Sequence, residues 1–407
     1  MRSKIWPCLL LAACVAEEPQ LTEQRVQDAS VTVRRDVIAG DIAHYELTVP
    51  VGTSPNARLR VHRVVRELAP WVPRPSARAA LLMHGDFSTF GTNFLTGLAP
   101  FLASQNIDAW GLDRRWTLPA GYGDVSDFAD MGVAQELDDI GRALALAHAI
   151  AGKRLALVGF SHGGQLAYSY AALEGARPPG QRHVDALVPI DFYAAISPAD
   201  EDLRVGSCEA AAAERDLVAA GVTDSANDFL IAAGELAAAA PDEPSPLIEG
   251  LTNRGVLLLI VGQTYLVAPF APFYHLNAPI LDGDVPVGLS ESPEAAVSAW
   301  LAGATPHQSM REAADLDALL CGEAPLPVNA PLANIRVPTL LLGAAGGIGE
   351  QGLFTLSQLG STDKSSLIVQ RLPPERRAED FGHADLLFGT DARELAWQPL
   401  AAWLLHH

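Results

Sequence analysis

The sequence predicts an α/β chain, a mostly parallel, doubly wound sheet interrupted by a large helical insertion. Three observations lead to that class. Between Ala77 and Ile190, short unbroken apolar runs alternate with stretches of helical periodicity. From 192 to 335 the alternation stops and Ala-rich helical stretches replace it. Beyond 336 the sheet signals return. A segment of that length is too long for a connecting loop. The expected organisation is a core in two parts, 31–191 and 336–407, with a helical cap at 192–335.

At the N-terminus, Arg2 and Lys4 precede the short apolar run Ile5–Ala13. The run cannot span a bilayer as a helix and reads as a signal peptide, 1–13. It ends Leu11-Ala12-Ala13-Cys14, which resembles the lipobox of bacterial lipoproteins. That resemblance implies cleavage before Cys14, lipid chains on Cys14, and export to the envelope on a membrane anchor. Val15, not Asp, follows Cys14, which in the resembling proteins points to the outer membrane of a Gram-negative host. An ordinary secretory signal is the alternative. Residues 14–30, rich in Glu and Gln, read as a tether.

Two β-like segments follow, Val31–Val51 and Leu59–Leu68, closed by the prolines of Pro70–Pro75. Ala79–Met83, Ile107–Leu112, Leu155–Val158 and Val184–Ile190 read as strands buried on both faces. Helices are expected over Phe94–Ser104, Val133–Ala151 and Gly163–Glu174. In the insertion, helices are expected over Cys208–Ala220, Ala226–Ala240, Pro293–Ala302 and Gln308–Leu320. Ser292 is the expected cap of the third of these, with Pro293 in its first turn. Strands at Val337–Leu342 and Leu367–Leu372 and a helix at Arg393–Leu405 complete the chain.

Composition bounds the function. Of 407 residues, 49% are hydrophobic and 19% charged, enough apolar material for a deep core. The net charge of −20, with no Lys/Arg-rich stripe, argues against nucleic acid as a partner. With Cys8 and Cys14 in or beside the signal, Cys208 and Cys321 remain as a possible disulfide; two buried thiols are the alternative. No Cys/His spacing suggests zinc.

The chemistry is carried by Gly159-Phe160-Ser161-His162-Gly163, set between an apolar strand and a helix. A serine on so sharp a turn needs glycine neighbours, and its hydroxyl is lifted clear of the sheet. The N–H of His162, at the helix N-terminus, would face a developing oxyanion. His84-Gly85-Asp86 closes an earlier strand, and Phe381-Gly382-His383-Ala384-Asp385 follows the last one. Together these segments resemble the α/β-hydrolase superfamily, over about 77–191 and 337–407. The resemblance implies Ser161 as nucleophile, His383 as general base, and the main-chain N–H groups of His162 and Asp86 as the oxyanion hole. His148, His275 and His307 read as packing or surface residues.

The triad acid departs from the family pattern. After the strand 337–342, Gly346 occupies the place where relatives carry Asp. Asp191, at the end of the strand after the elbow helix, is the first candidate; Glu350, in the Gly-rich loop, is the second. No cofactor is implied. The resemblance suggests a carboxylesterase or lipase acting on a small or lipid-like ester, with Tyr265, Phe270, Phe273 and Tyr274 over an acyl pocket or in the cap's own core. A capped peptidase resembling the proline iminopeptidases, and a non-catalytic surface lipoprotein that binds, are the alternatives. Ser161 in place of a carboxylate argues against haloalkane dehalogenase and epoxide hydrolase chemistry.

Overall fold

In the computed structural model, which describes residues 23–25, 31–53, 57–117, 125–266 and 271–407, the chain builds an eleven-stranded sheet. The expected signal peptide, Cys14 and Phe270 lie outside the described residues. An antiparallel half comes first: β1 (Glu23–Arg25), β2 (Thr32–Ala39), β3 (Ile42–Pro50), β4 (Arg58–Ala69) and β5 (Val72–Pro73). The parallel half follows, with β6 (Arg78–Met83), β7 (Ile107–Asp113), β8 (Leu155–Phe160) and β9 (Val184–Ile190). A separate hairpin, β10 (Pro279–Asp282) and β11 (Val285–Leu289), precedes the last two parallel strands, β12 (Thr339–Ala344) and β13 (Lys364–Val369). The spatial order is β1-β2-β3-β4-β7-β6-β8-β9-β12-β13, with β5 beside β4.

The unbroken apolar runs have a simple cause. Along β6, Ala79, Leu81 and Met83 enter one core cluster while Ala80 and Leu82 enter the other, across the sheet. Both faces are covered by helices, so every position of β6 is buried. The helices of the core are α1 (Leu98–Ser104), α2 (Val133–Ala151) and α3 (His162–Gly175).

The insertion carries α4 (Glu201–Ala219), α5 (Asp228–Ala239), α6 (Asn253–Gly262), α7 (Glu294–Ala302) and α8 (Met310–Cys321). The chain closes with α9 (Gln351–Gln358), α10 (Asp385–Phe388) and α11 (Gln398–His406). Leu257, Val261, Tyr274 and Trp300 of the insertion share a buried cluster with Phe192, the insertion's first residue, and with Ile348 and Ala384 of the core. The insertion is therefore seated over the ends of β9 and β12. Among the described residues, no helix is long and apolar enough to cross a membrane.

Three details differ from expectation. Helix α7 begins at Glu294 with Pro293 at its cap position, and Ser292 does not cap it. The Ser292 hydroxyl instead donates to Asp385 Oδ1 at 2.5 Å. Strand β13 ends at Val369, because the N–H groups of Arg371 and Leu372 turn to the Asp380 carboxylate (2.8 and 3.1 Å). Helix α6 and the β10–β11 hairpin were not expected.

Cys208 of α4 and Cys321 of α8 form a disulfide across 113 residues of sequence. A loop of that size implies about 4–5 kcal/mol of stabilisation through the unfolded chain. Urea unfolding of a Cys208→Ser/Cys321→Ser variant is expected to show a loss on that scale, and added reductant is expected to reproduce it in the parent protein.

Candidate active site

The elbow is built by three glycines that admit no side chain. A Cβ on Gly159 would lie 2.1 Å from the Gly163 carbonyl oxygen. A Cβ on Gly163 would lie 2.5 Å from the carbonyl oxygens of Met83 and His84. One on Gly85 would sit 2.9 Å from Ser161 Cβ. The strand end 83–85 thus lies directly against the elbow. Ser161 is held at φ 56°, ψ −136°, a conformation disfavoured for any residue with a side chain. Its N–H donates to Ile190 O (3.0 Å) and its carbonyl accepts from Gly164 N–H (2.6 Å).

His383 is reached from the far end of the sheet. Its ring lies 4.5 Å from that of Phe160, the residue before Ser161, and edge-on to Tyr274 at 5.7 Å. Its loop is fixed by backbone bonds, His383 N–H to His275 O (3.1 Å) and Ala384 N–H to Leu276 O (2.6 Å). Asp385 braces the same loop. Its buried carboxylate accepts from the N–H groups of Gly382 (2.8 Å) and Ala278 (2.7 Å), from Asn277 (2.8 Å) and from Ser292. The aspartate of the GHxD-like segment therefore ties the histidine loop to the insertion.

Asp191 faces His383. Its carboxylate is fully buried, and Oδ2 lies 2.6 Å from His383 Nδ1. Oδ1 accepts from Ala344 N–H (2.7 Å), and Oδ2 also accepts from Ile348 N–H (3.1 Å). The Gly-rich loop after β12 closes around this group: a Cβ on Gly347 would meet Oδ2 at 2.1 Å, and one on Gly349 would meet Oδ1 at 2.7 Å. At Gly346 a Cβ would lie 2.3 Å from the His275 ring, so no carboxylate fits there. Glu350 points elsewhere: it pairs with Arg377 at 2.5 Å and its side chain is 45% exposed.

The two expected oxyanion residues are joined through their side chains. The Asp86 carboxylate contacts the His162 imidazole and accepts from Arg114 Nη1 at 3.2 Å. Burial works against the charge on Asp86, but His162 and Arg114 hold its carboxyl well below the usual carboxylate range. Burial likewise opposes protonation of His162, and the Asp86 charge nonetheless raises it above the ordinary histidine value. Arg114 also donates to His84 O (2.7 Å) and, from the same Nη1, to Glu312 Oε1 of α8 (2.6 Å). Burial pushes His84 down to about 3, so its neutral ring accepts the Arg114 N–H at Nε2 (3.2 Å). Trp116 Nε1 donates to the other oxygen of Glu312 at 2.6 Å. A buried chain thus runs from the insertion to the elbow.

No role of this kind was expected of Arg114. Nothing in the sequence around Glu312 signals it. Replacing Arg114 by Met would strand the buried charges of Glu312 and Asp86. A loss of about 3–5 kcal/mol in urea unfolding is expected.

Beside His162 lies a cavity of about 780 Å³, bounded by α4, by residues 271–273, by Asp317 of α8 and by Gln351. Ser161 and His383 are not in its lining; it adjoins the elbow through His162. Phe273 lines it, whereas Tyr274 is buried against His383 and Tyr265 packs on the buried cluster of the insertion. His275 and His307 bond to Asp380 O and Asp224, and His148 to Lys153 O, all as scaffold contacts.

No protein-family model matches the chain, and no curated protein matches it in sequence. Solved structures do match. A "putative lipase" from Sulfolobus solfataricus superposes with a TM-score of 0.64 at 17% identity, over 94% of this chain and 99% of its own. A "hypothetical protein" from Pseudomonas aeruginosa gives a TM-score of 0.52 at 12% identity, over 95% of this chain and 100% of its own. The chain has the α/β-hydrolase fold. Within this fold, β8 and α3 meet at the strained turn that holds Ser161, and β9, rather than the strand after the insertion, ends at the carboxylate that faces His383.

Proposed function

We propose that this α/β-hydrolase cleaves carboxylic esters through Ser161, His383 and Asp191. The contact of His383 Nδ1 with the buried Asp191 carboxylate, beside the residue that precedes Ser161, carries the reading. Asp191 fixes the ring with its proton on Nδ1, which leaves Nε2 free to accept the Ser161 proton. The hydroxyl oxygen attacks the ester carbonyl, and the N–H groups of His162 and Asp86 stabilise the oxyanion. Collapse expels the alcohol, protonated by His383, and leaves an acyl-Ser161. Water, deprotonated by the same histidine, releases the acid. The strained backbone at Ser161 has a use in this chemistry and none in a purely binding protein.

Turnover of p-nitrophenyl acetate and butyrate by the purified protein is the test. Release of nitrophenolate that stops on pretreatment with a fluorophosphonate is expected. Folded protein that releases it no faster than buffer would refute the proposal.

A further inference from the structure

Asp86 puts a carboxylate where ester hydrolysis calls for positive potential. Its main-chain N–H is one of the two proposed oxyanion donors, so its side chain lies close to the oxyanion that the donor would serve. Like charges at such range repel, and more strongly in a buried site than in water. The placement is unfavourable unless a cation cancels it.

Two cationic groups touch this carboxylate, one at each oxygen. Oδ1 accepts from Arg114 Nη1 at 3.2 Å, and Oδ2 contacts His162 Nδ1. Arg114 is committed more closely elsewhere: the same Nη1 lies 2.6 Å from Glu312 Oε1, in an ion pair buried on both sides. His162 is thus the counter-charge left for Asp86. Its ring borders the cavity, where it can exchange a proton with solvent.

The main chain is held without this contact. His84 Nδ1–H donates to Gly85 O at 2.8 Å, which fixes the peptide that carries the Asp86 N–H, and Gly85 N–H donates to Asn93 Oδ1 at 3.0 Å. On the other side, Phe87 N–H donates to Gln308 Oε1 (3.2 Å) and the Ser88 hydroxyl to Asp86 O (2.6 Å). The His162 N–H is placed by the elbow and the start of α3. What the Asp86–His162 contact adds is charge compensation.

We propose that the His162 side chain works in hydrolysis as an imidazolium that neutralises Asp86 beside the oxyanion, so that turnover needs His162 charged while His383 is neutral. The proposal rests on the ester-hydrolase reading and adds to it a second histidine in the opposite charge state. Once His162 loses its proton, the Asp86 charge is left uncompensated next to the oxyanion. The ring faces Asp86 after β6, Arg114 after β7, Asp317 and Glu312 of α8 and Glu214 of α4. Asp200, Glu201 and Asp202 line the same cavity. Burial and Arg114 oppose the charged ring, Asp86 and Asp317 favour it, and the outcome lies above the ordinary histidine value.

The pH profile of kcat on p-nitrophenyl butyrate tests this, read at the isosbestic wavelength of nitrophenol and nitrophenolate and corrected for spontaneous hydrolysis. Between about pH 5 and 10, kcat is expected to rise as the base is freed of its proton. It is then expected to fall about tenfold or more on the alkaline side of the ordinary histidine value, with KM little changed. His162→Gln keeps an amide N–H toward Asp86 but no charge. Its kcat is expected to stay about tenfold or more below the parent maximum, with no alkaline decline. Asp86→Asn/His162→Gln removes both charges and is expected to recover most of that loss, which a purely structural contact would not allow. A parent profile that stays level to pH 10, a decline that persists in His162→Gln, or a double variant no faster than the single one overturns the inference and leaves the hydrolase reading intact. Failure of the folded parent to turn over the ester at any pH overturns both.

Discussion

Asp191→Asn is expected to lower kcat about 10⁴-fold with little change in KM. The side chain keeps its shape, so the cradle of Ala344 and Ile348 N–H groups still has an oxygen to hold. The amide, however, presents a donor to His383 Nδ1. That favours the tautomer with its proton on Nε2, which cannot accept one from Ser161. The charge that balances the imidazolium is lost as well. Glu350→Gln is the contrasting substitution. Glu350 pairs with Arg377 at the surface, so kcat is expected to stay within about twofold, as for other exposed ion pairs. Steady-state kinetics of both variants on one p-nitrophenyl ester decide between them. An Asp191→Asn enzyme that keeps a tenth of the parent kcat would remove Asp191 from the triad.

The candidate acid was the least legible part of the site, for a physical reason. Sequence pattern locates an acid by its place after a strand, and at that place stands Gly346. What the pattern cannot show is that β9 and β12 are neighbours in register, Ile190 beside Leu342, so that a carboxylate on one can occupy the space the other's loop leaves open. A signal was nonetheless present. Gly346, Gly347 and Gly349 crowd one short loop, and glycines so close together mark a backbone that must pass near something. Here that something is His275 for the first and the Asp191 carboxylate for the other two.

The elements were legible to the extent that burial is symmetrical. Strands covered on both faces, such as β6 and β8, are continuous apolar runs, and the expected bounds lie close to the observed ones. Helix α6 was not read. Its apolar stretch Val256–Val261 lacks a polar face of its own and is buried within the insertion. The Thr252 hydroxyl, accepting from Gly255 N–H at 3.0 Å, was the available start signal. The His162–Asp86–Arg114–Glu312 chain joins four segments distant in sequence, so no local pattern announces it.

Ser161→Ala is the second large effect: kcat is expected to fall about 10⁶-fold. The Cβ is retained, and the turn is imposed by Gly159, Gly163 and the bond of residue 161 N–H to Ile190 O, so the fold should stand. A small residual rate above that of water is expected, because the proposed oxyanion donors, the N–H groups of His162 and Asp86, are untouched by the substitution. The measurement is single-turnover and steady-state kinetics on p-nitrophenyl butyrate, with circular dichroism as the check on folding.

The most direct test of the central claim is covalent capture of the nucleophile. The protein is treated with a fluorophosphonate, and the adduct is located by peptide mass spectrometry. One adduct per chain is expected, on Ser161, absent from Ser161→Ala and strongly slowed in Asp191→Asn. An adduct on another residue, or folded protein that takes up none, would contradict it.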